Sequence, residues 1–509
     1  MGQDRNLYSL LAARFEPAGD APAFVVPRGR TLTYKDLSEG VGRFANALAA
    51  LGVEPGDRVM VQVDKSIENV LLYLATLKVG AVYNPLNIAY TPAELEFFIS
   101  DAEPAVIVVP SERLSKIEPI AERNNVGSLL TMEADGSGSM TELASEQPTA
   151  HRTVPRADDD LAALLYTSGT TGRSKAAMLT HLNLSSNAEV LHRCWHFQKG
   201  DVLLHALPIF HTHGLFVALH TALLNASKMH WLSRFDLDAI LRLLPQSTVM
   251  MGVPTFYTRL LSAPGFNREL CRNMRLFISG SAPLLAETHQ EFEARTGHRI
   301  LERYGMTEAG MITSNPYANE GRIAGSVGYA LPGVELRVAD AEGRILQPGE
   351  VGVLEMRGPN LFKGYWRNPE KTKEEMRPDG FFITGDLSTM DPDGRVTIVG
   401  RAKDLIISGG FNVYPKEIET EINALPGVGE SAVLGVPHPD FGEGVIAVVT
   451  PSPSADLQSE EQMIAALGER LAKFKLPKRV FVLPELPRNA MGKVQKADLR
   501  ARYGNLFKS

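Results

Sequence analysis

Between residues 33 and 155 the chain alternates short apolar runs with stretches of helical periodicity, and no other feature limits its fold more. The runs DRVMVQV and AVIVV suit buried strands, and TPAELEFFISD between them has the spacing of a helix. Strand, helix and strand in succession build a largely parallel sheet covered by helices. The theme repeats in VLLHALP, a helical GLFVALHTALLNA, STVMMGVP and MRLFISGSAP. Between Gly325 and Gly400 the character changes. VELRVAD, GVLEMRG and RVTIVG alternate with Asp-Gly and Pro-Gly turns, the mark of a smaller β-rich subdomain.

After Arg401 the order becomes helix (KEIETEINALPGV), strand (SAVLGVP), strand (VIAVVTP) and helix (EEQMIAALGERLAKF). That stretch is long enough for an independent α+β domain. A chain of 509 residues exceeds what one core accommodates. The predicted class is therefore α/β, with a large N-terminal domain of layered sheets over 1–400, its β-rich subdomain at about 325–400, a boundary at 401–403 and a small α+β domain over 404–509.

Composition mainly excludes. A net charge of −7 gives no general reason to expect nucleic acid or an anionic membrane as partner. Two cysteines, Cys194 and Cys271, make no disulfide framework and point to a reducing cytoplasm. The N-terminal MGQDRNLYSLLAARFEPAGD has no apolar core of a secretory signal, and no run is long enough to span a membrane.

The densest chemistry lies in YTSGTTGRSKAAM, residues 166–178. Successive backbone N–H groups of a Gly-rich turn form a concave anion site, hydroxyls add donors, and Lys175 supplies a mobile positive charge. The spacing is not that of the P-loop, and the apolar run after Lys175 predicts a strand there rather than a helix N-terminus. A flexible polar hairpin is the competing reading of this loop by itself.

Six further stretches decide between those readings. They are LPIFHTHG (207–214), SGSAPL (279–284), ERYGMTE (302–308), TGDL (384–387), GRAKDLIISGGFNVYPKEIE (400–419) and PRNAMGKVQK (487–496). Together with the loop, in this order and spacing, they resemble the motifs of adenylate-forming enzymes, the superfamily of acyl-CoA synthetases, peptide-synthetase adenylation domains and firefly luciferase. The likeness spans essentially the whole chain. It implies ATP and coenzyme A as co-substrates, Mg²⁺ as cofactor, and a C-terminal domain that moves as a lid. The protein is expected to be a monomer or homodimer.

The resemblance also assigns roles. Thr167, Ser168, Gly169, Thr170, Thr171 and Gly172 become the cradle for the ATP phosphates, with Lys175 as counter-charge. Thr307 and Glu308 match the positions that meet the α-phosphate and Mg²⁺, an ion that needs only one or two carboxylates beside phosphate oxygens. Asp386 matches the ribose-binding acid and Arg401 a second ribose contact. Gly280, Ser281, Ala282, Pro283 and Tyr304, with Glu302, Gly305 and Met306 of the neighbouring motif, correspond to the adenine and nucleotide pocket. Lys493 matches the catalytic lysine that bridges the attacking carboxylate and the α-phosphate. Lys403 falls at the hinge position; Gly409, Gly410 and Phe411 would line the pantetheine tunnel after domain rotation, and Lys475 joins them as a coenzyme A contact. His211 is placed at the mouth of the acyl site. A metal site of His211, His213 and His220 is the poorer reading, because no Cys or acid completes it.

Arg303 bears on the substrate. The position before Tyr-Gly is often Gly in relatives that take uncharged acyl chains. An Arg near an acyl pocket is costly to bury unless an anion pairs with it, and a second carboxylate on the substrate would supply that anion. HTHGLF, GVPTFYTRLL, ERYGMTE and SNPY resemble malonyl-CoA synthetases, with Arg234 as a further anion contact. The expected activity is malonyl-CoA formation from malonate, ATP and coenzyme A through malonyl-adenylate. Methylmalonate or another short carboxylic acid is the near alternative, and a non-catalytic acyl-AMP-binding regulator the remote one. A peptide-synthetase reading is weaker, since the chain ends at Ser509 without a carrier domain. The bland alternative for Arg303 is an ion pair with Glu302 or Glu308.

Overall fold

A computed structural model describes residues 4–167, 174–408, 411–452, 456–489 and 492–507. Four sheets carry the architecture. The largest has nine strands and a parallel centre, in which Val202–His205, Lys228–Trp231, Val249–Gly252, Leu276–Ser279 and Leu301–Met306 all run the same way. Antiparallel pairs close both of its edges. A six-stranded sheet contains Arg58–Val61 and Val106–Val109, the two runs read as buried strands, and the helix Pro92–Ala102 leads from its strand Val82–Pro85 into the second of them. It ends in the antiparallel pair Leu161–Thr167 and Lys175–Thr180. Both sheets are wholly buried along their central strands, which is why those strands are apolar without alternation.

The β-rich region is a four-stranded antiparallel sheet from Glu335 to Arg401. Beyond it, the fourth sheet is built separately with its own core: Ile406–Ser408, Phe411–Val413, Val428–His438, Gly442–Pro451 and Arg479–Val482 lie under the helices Pro415–Asn423 and Glu460–Gly468. The helix expected to reach residue 474 stops at Gly468 and gives way to a short 3₁₀ turn at Lys473–Lys475.

Two asparagines on the helix His181–Cys194 tie the parts of the site together. Asn183 takes part in the capping box with Thr180 and donates to the carbonyls of Pro359 and Leu361. One turn later Asn187 donates to the Met311 carbonyl and accepts from the Met311 N–H. The segment after residue 358 and the hairpin Leu301–Ser314 are thereby fixed to the strand that follows the phosphate loop.

Candidate active site

Parallel register brings two of the motifs side by side: Ile278 pairs with Leu301 and Ser279 with Glu302. Both motifs thus emerge at the carboxyl ends of adjacent parallel strands, where open α/β sheets bind ligands. On the strand Leu301–Met306, successive side chains face opposite ways. Glu302 and Tyr304 share one face and Arg303 takes the other.

Tyr304 donates its hydroxyl to Asp386 Oδ2 at 2.5 Å, and Arg401 Nε meets Asp386 Oδ1 at 2.6 Å. Asp386 and Arg401 are direct cross-strand partners, so the acid and its arginine are paired by register. Glu302 is buried and accepts from the Gly325 N–H at 3.0 Å; burial pushes its carboxyl up to about 8. Gly305 lies against the Gly310 carbonyl, with no room for a side chain, and Met306 opens the turn that carries Thr307 and Glu308.

Glu308 is buried, and burial raises its carboxyl above the ordinary range. Its Oε1 lies 3.0 Å from the Tyr365 hydroxyl, which also meets Glu375 Oε2 at 2.6 Å. Glu375 in turn holds Lys175 at 3.2 Å and Lys371 at 3.1 Å. Lys175 also lies over the Tyr365 ring, 4.3 Å from its centroid. A cavity of about 430 Å³ borders this network and is lined by Ser174, Lys175, Arg367 and Lys371, among others. Tyr365 reaches the strand Lys175–Thr180 because residues 363–366 pair with it, Ala177 bridging to Tyr365 itself.

The opposite face of the strand holds Arg303. It is 4 % exposed and enters no ion pair among the described residues. Its Nε and Nη2 atoms are buried without a partner, and burial pushes the guanidinium down to about 9. Pairing with Glu302 is precluded by strand alternation, and Glu308 points to Tyr365 instead. Gly280 makes the space: a Cβ there would lie 2.3 Å from Arg303 Cζ. Its place in the site therefore serves the guanidinium directly. Ser281 adopts φ 71°, a left-handed conformation rare outside glycine, and meets His213 Nδ1 at 3.3 Å. Ala282 is half-buried and Pro283 exposed in the same turn. Beside Arg303, His213 Nε2 is also buried without a partner. Burial, and next the Arg303 charge, hold the His213 imidazole well below its usual range. His211 is half-buried, and burial lowers it to about 4. His220 is spent elsewhere, its Nε2 lying 2.7 Å from the Tyr73 hydroxyl.

Arg234 does not join this cluster. It is exposed on the turn after Lys228–Trp231, and no ion pair engages it among the described residues. The anion contact expected of it has no support in the fold, because a water-exposed guanidinium imposes no demand for an anion. Lys493 has Arg401, Asp386, Lys403 and Asp404 as its charged surroundings. The preceding Gly492 has φ 73° and sits against Thr255 of the large domain, so the lysine loop is docked there. Partial burial and the nearby Arg401 lower the Lys493 ammonium, although water still reaches it. Lys403 is exposed in the 3₁₀ turn Ala402–Asp404, between the last strand of the β-rich sheet and the first of the C-terminal one. Phe411 is exposed and stacks on Phe474 at 4.6 Å, and Lys475 pairs with Glu417 at 2.6 Å. Ser168, Gly169, Thr170, Thr171, Gly172, Gly409 and Gly410 lie outside the described residues. Thr167 and Lys175, at the two ends of the loop, pair in register. Ala176 is in strand conformation without positive φ, so its backbone carries no strain.

Tyr365 and Glu375 lie outside every motif read from the sequence. An acid in the run EKTKEE reads as a solvated helix face. Lys65 is equally silent: it is buried with no carboxylate, bonded to His205 Nδ1 at 2.8 Å, while His205 Nε2 meets the Gly214 carbonyl at 2.9 Å. Those bonds brace the π-helical turn His213–Leu219, the unexpected start of the GLFVALH helix.

A layered α/β body followed by a separate C-terminal domain is the plan of an adenylate-forming enzyme. The AMP-binding enzyme family matches residues 11–366, and the AMP-binding enzyme C-terminal domain matches residues 417–493. The chain belongs to the AMP-binding enzyme family. It is 37 % identical to a feruloyl-CoA synthase of Amycolatopsis sp over 94 % of this chain and 95 % of that one. With a malonate–CoA ligase of Arabidopsis thaliana it shares 34 % over 93 % and 82 %. The crystal structure of ATP-bound MatB from Rhodopseudomonas palustris superposes with a TM-score of 0.97 at 53 % identity, covering 99 % of this chain and 100 % of that one. Apo MatB of the same organism gives 0.85 at 54 % identity over the same shares, so the arrangement described here is nearer the ATP-bound form. No helix among the described residues is long and apolar enough to cross a membrane.

Proposed function

We propose that the chain is an acid–CoA ligase that converts malonate, ATP and coenzyme A to malonyl-CoA, AMP and pyrophosphate. The observation that carries the choice of acid is the unpaired, buried Arg303. A buried guanidinium without an anion is costly, and a second carboxylate answers it with a charge-assisted pair. A monocarboxylate such as acetate or ferulate would leave that buried charge without an anion. The malonate–CoA ligase relative agrees with this choice, and the feruloyl-CoA synthase relative shows that overall identity alone does not make it.

In the first half-reaction a malonate carboxylate oxygen attacks the α-phosphorus of ATP, and the bond to pyrophosphate breaks. Lys493, beside Asp386 and Arg401, is positioned to stabilise the charge that develops there. Asp386 would accept from the ribose hydroxyls, and Lys175 would face the leaving phosphates. Glu308 suits Mg²⁺, since it is a buried carboxylate that no cation among the described residues pairs with, and the ion takes few protein ligands beside phosphate oxygens. That ion, when bound, neutralises phosphate charge. In the second half-reaction the thiol sulfur of coenzyme A attacks the acyl carbon and AMP leaves. Rotation about Lys403 would bring Phe411 and Lys475 toward the thiol's path. The two free cysteines suit a reducing cytosol.

The test is pyrophosphate release with coenzyme A across acetate, ferulate, malonate, methylmalonate and succinate. Malonate should lead. A lead for acetate or ferulate defeats the dicarboxylate reading, and a lead for methylmalonate keeps the site while changing the acid.

A further inference from the structure

We infer that Glu375 is a built-in counter-anion that competes with phosphate for Lys175, loosening the hold on pyrophosphate. The inference rests on Lys175 as the phosphate-binding lysine and goes beyond it by naming what sets that lysine's affinity. The two residues are 200 positions apart in the chain, and their side chains are only 10 % and 22 % exposed. Screening by water is therefore reduced, and the attraction exceeds that of a surface pair.

The partners are unequal. Glu375 is held by Lys175, by Lys371 at 3.1 Å and by the Tyr365 hydroxyl at 2.6 Å. Burial acts to raise its carboxyl, yet these partners outweigh burial and hold it below the ordinary range. Lys175 has only Glu375 and the face of the Tyr365 ring among the described residues. When a phosphate arrives, Lys175 can turn to it while Glu375 keeps two partners. When pyrophosphate must leave, Glu375 stands fixed at 3.2 Å to take the lysine back. A carboxylate so placed weakens the bound state of every anion that uses Lys175. No step of the proposed chemistry otherwise needs it.

The experiment is isothermal titration of the full chain with sodium pyrophosphate in magnesium-free buffer, so that Lys175 is read without the metal. Glu375→Gln keeps the size and an acceptor for Tyr365 while removing the charge, and pyrophosphate should bind about tenfold tighter, as loss of a half-shielded competing charge implies. Glu375→Ala should shift affinity in the same direction. Lys175→Met should weaken binding, and in Lys175→Met/Glu375→Gln the gain should vanish. Unchanged or weaker binding in both Glu375 variants, with Lys175→Met still weakened, overturns this inference alone. A gain that persists without Lys175 also overturns it. If Lys175→Met leaves affinity unchanged, the phosphate role of Lys175 falls and this inference with it.

Discussion

The two faces of the strand Leu301–Met306 treat charge in opposite ways. On the nucleotide face, Asp386 is answered by Arg401 and Tyr304, and nearby Lys175 is answered by Glu375. On the acyl face Arg303 is answered by nothing among the described residues. ATP would bind by exchanging one set of ion pairs for another, a transaction with little net cost. An acid would bind by filling a vacancy. The second arrangement discriminates more strongly, because a wrong substrate leaves a buried group unpaired. Nucleotide recognition, common to the family, is thus buffered, whereas recognition of the particular acid is all or none.

Lys493→Ala should give the largest effect, since it removes a cation that the C-terminal domain brings close to Asp386 and Arg401. Adenylate formation should fall by a factor on the order of 10³, as expected for loss of a group that stabilises developing charge. Thioester formation from supplied malonyl-adenylate should persist. Equal loss of both half-reactions would mean that the lysine acts in holding the domains, not in the first displacement.

Next in size is Arg303→Met, which probes the vacancy directly. Malonate kcat/KM should fall by about a hundredfold, the usual cost of removing one side of a buried charge pair, while ATP affinity stays near its starting value. The same substitution should stabilise the protein without substrates, by about 1–3 kcal/mol in denaturant unfolding, because it deletes a buried charge that has no partner. Loss of activity together with a lower unfolding midpoint would show that Arg303 was part of the scaffold after all.

The smallest effect tests the face opposite Arg303 through an acid that its ion pairs leave out. Glu302 is buried there without an ion pair among the described residues, ionising near 4.5 when free and about 8 in the fold. A carboxyl raised in this way keeps its proton longer in the folded state. Stability is then greatest below pH 4.5 and declines as pH climbs toward 8. Glu302→Gln should remove that decline, giving higher stability than the parent at pH 8 and no difference below pH 4.5. A pH-independent difference would show that Glu302 acts through packing alone.

Much of this was legible in the chain. Apolar runs without alternation gave the parallel strands, and Asp-Gly turns gave the antiparallel subdomain, because both depend on neighbours in sequence. The motif at 302–308 marked Arg303, and strand alternation alone set it against Glu302. Arg234 misled because an arginine near an apolar segment looks the same whether it turns inward or toward water. The left-handed Ser281 had no sequence sign, as only glycine or asparagine advertises that conformation.

By itself the sequence determined the layered α/β plan, the order of the motifs and the presence of a cation where an acyl chain would lie. Those follow from short-range periodicity and residue chemistry. Only the tertiary structure decided which charges meet. Lys175 finds Glu375 across 200 residues, and Glu308 finds Tyr365 across 57. Whether a buried charge is paired depends on such long-range contacts, and no local pattern encodes them. Arg303 acquires its meaning in the same way, from the partner that folding withholds.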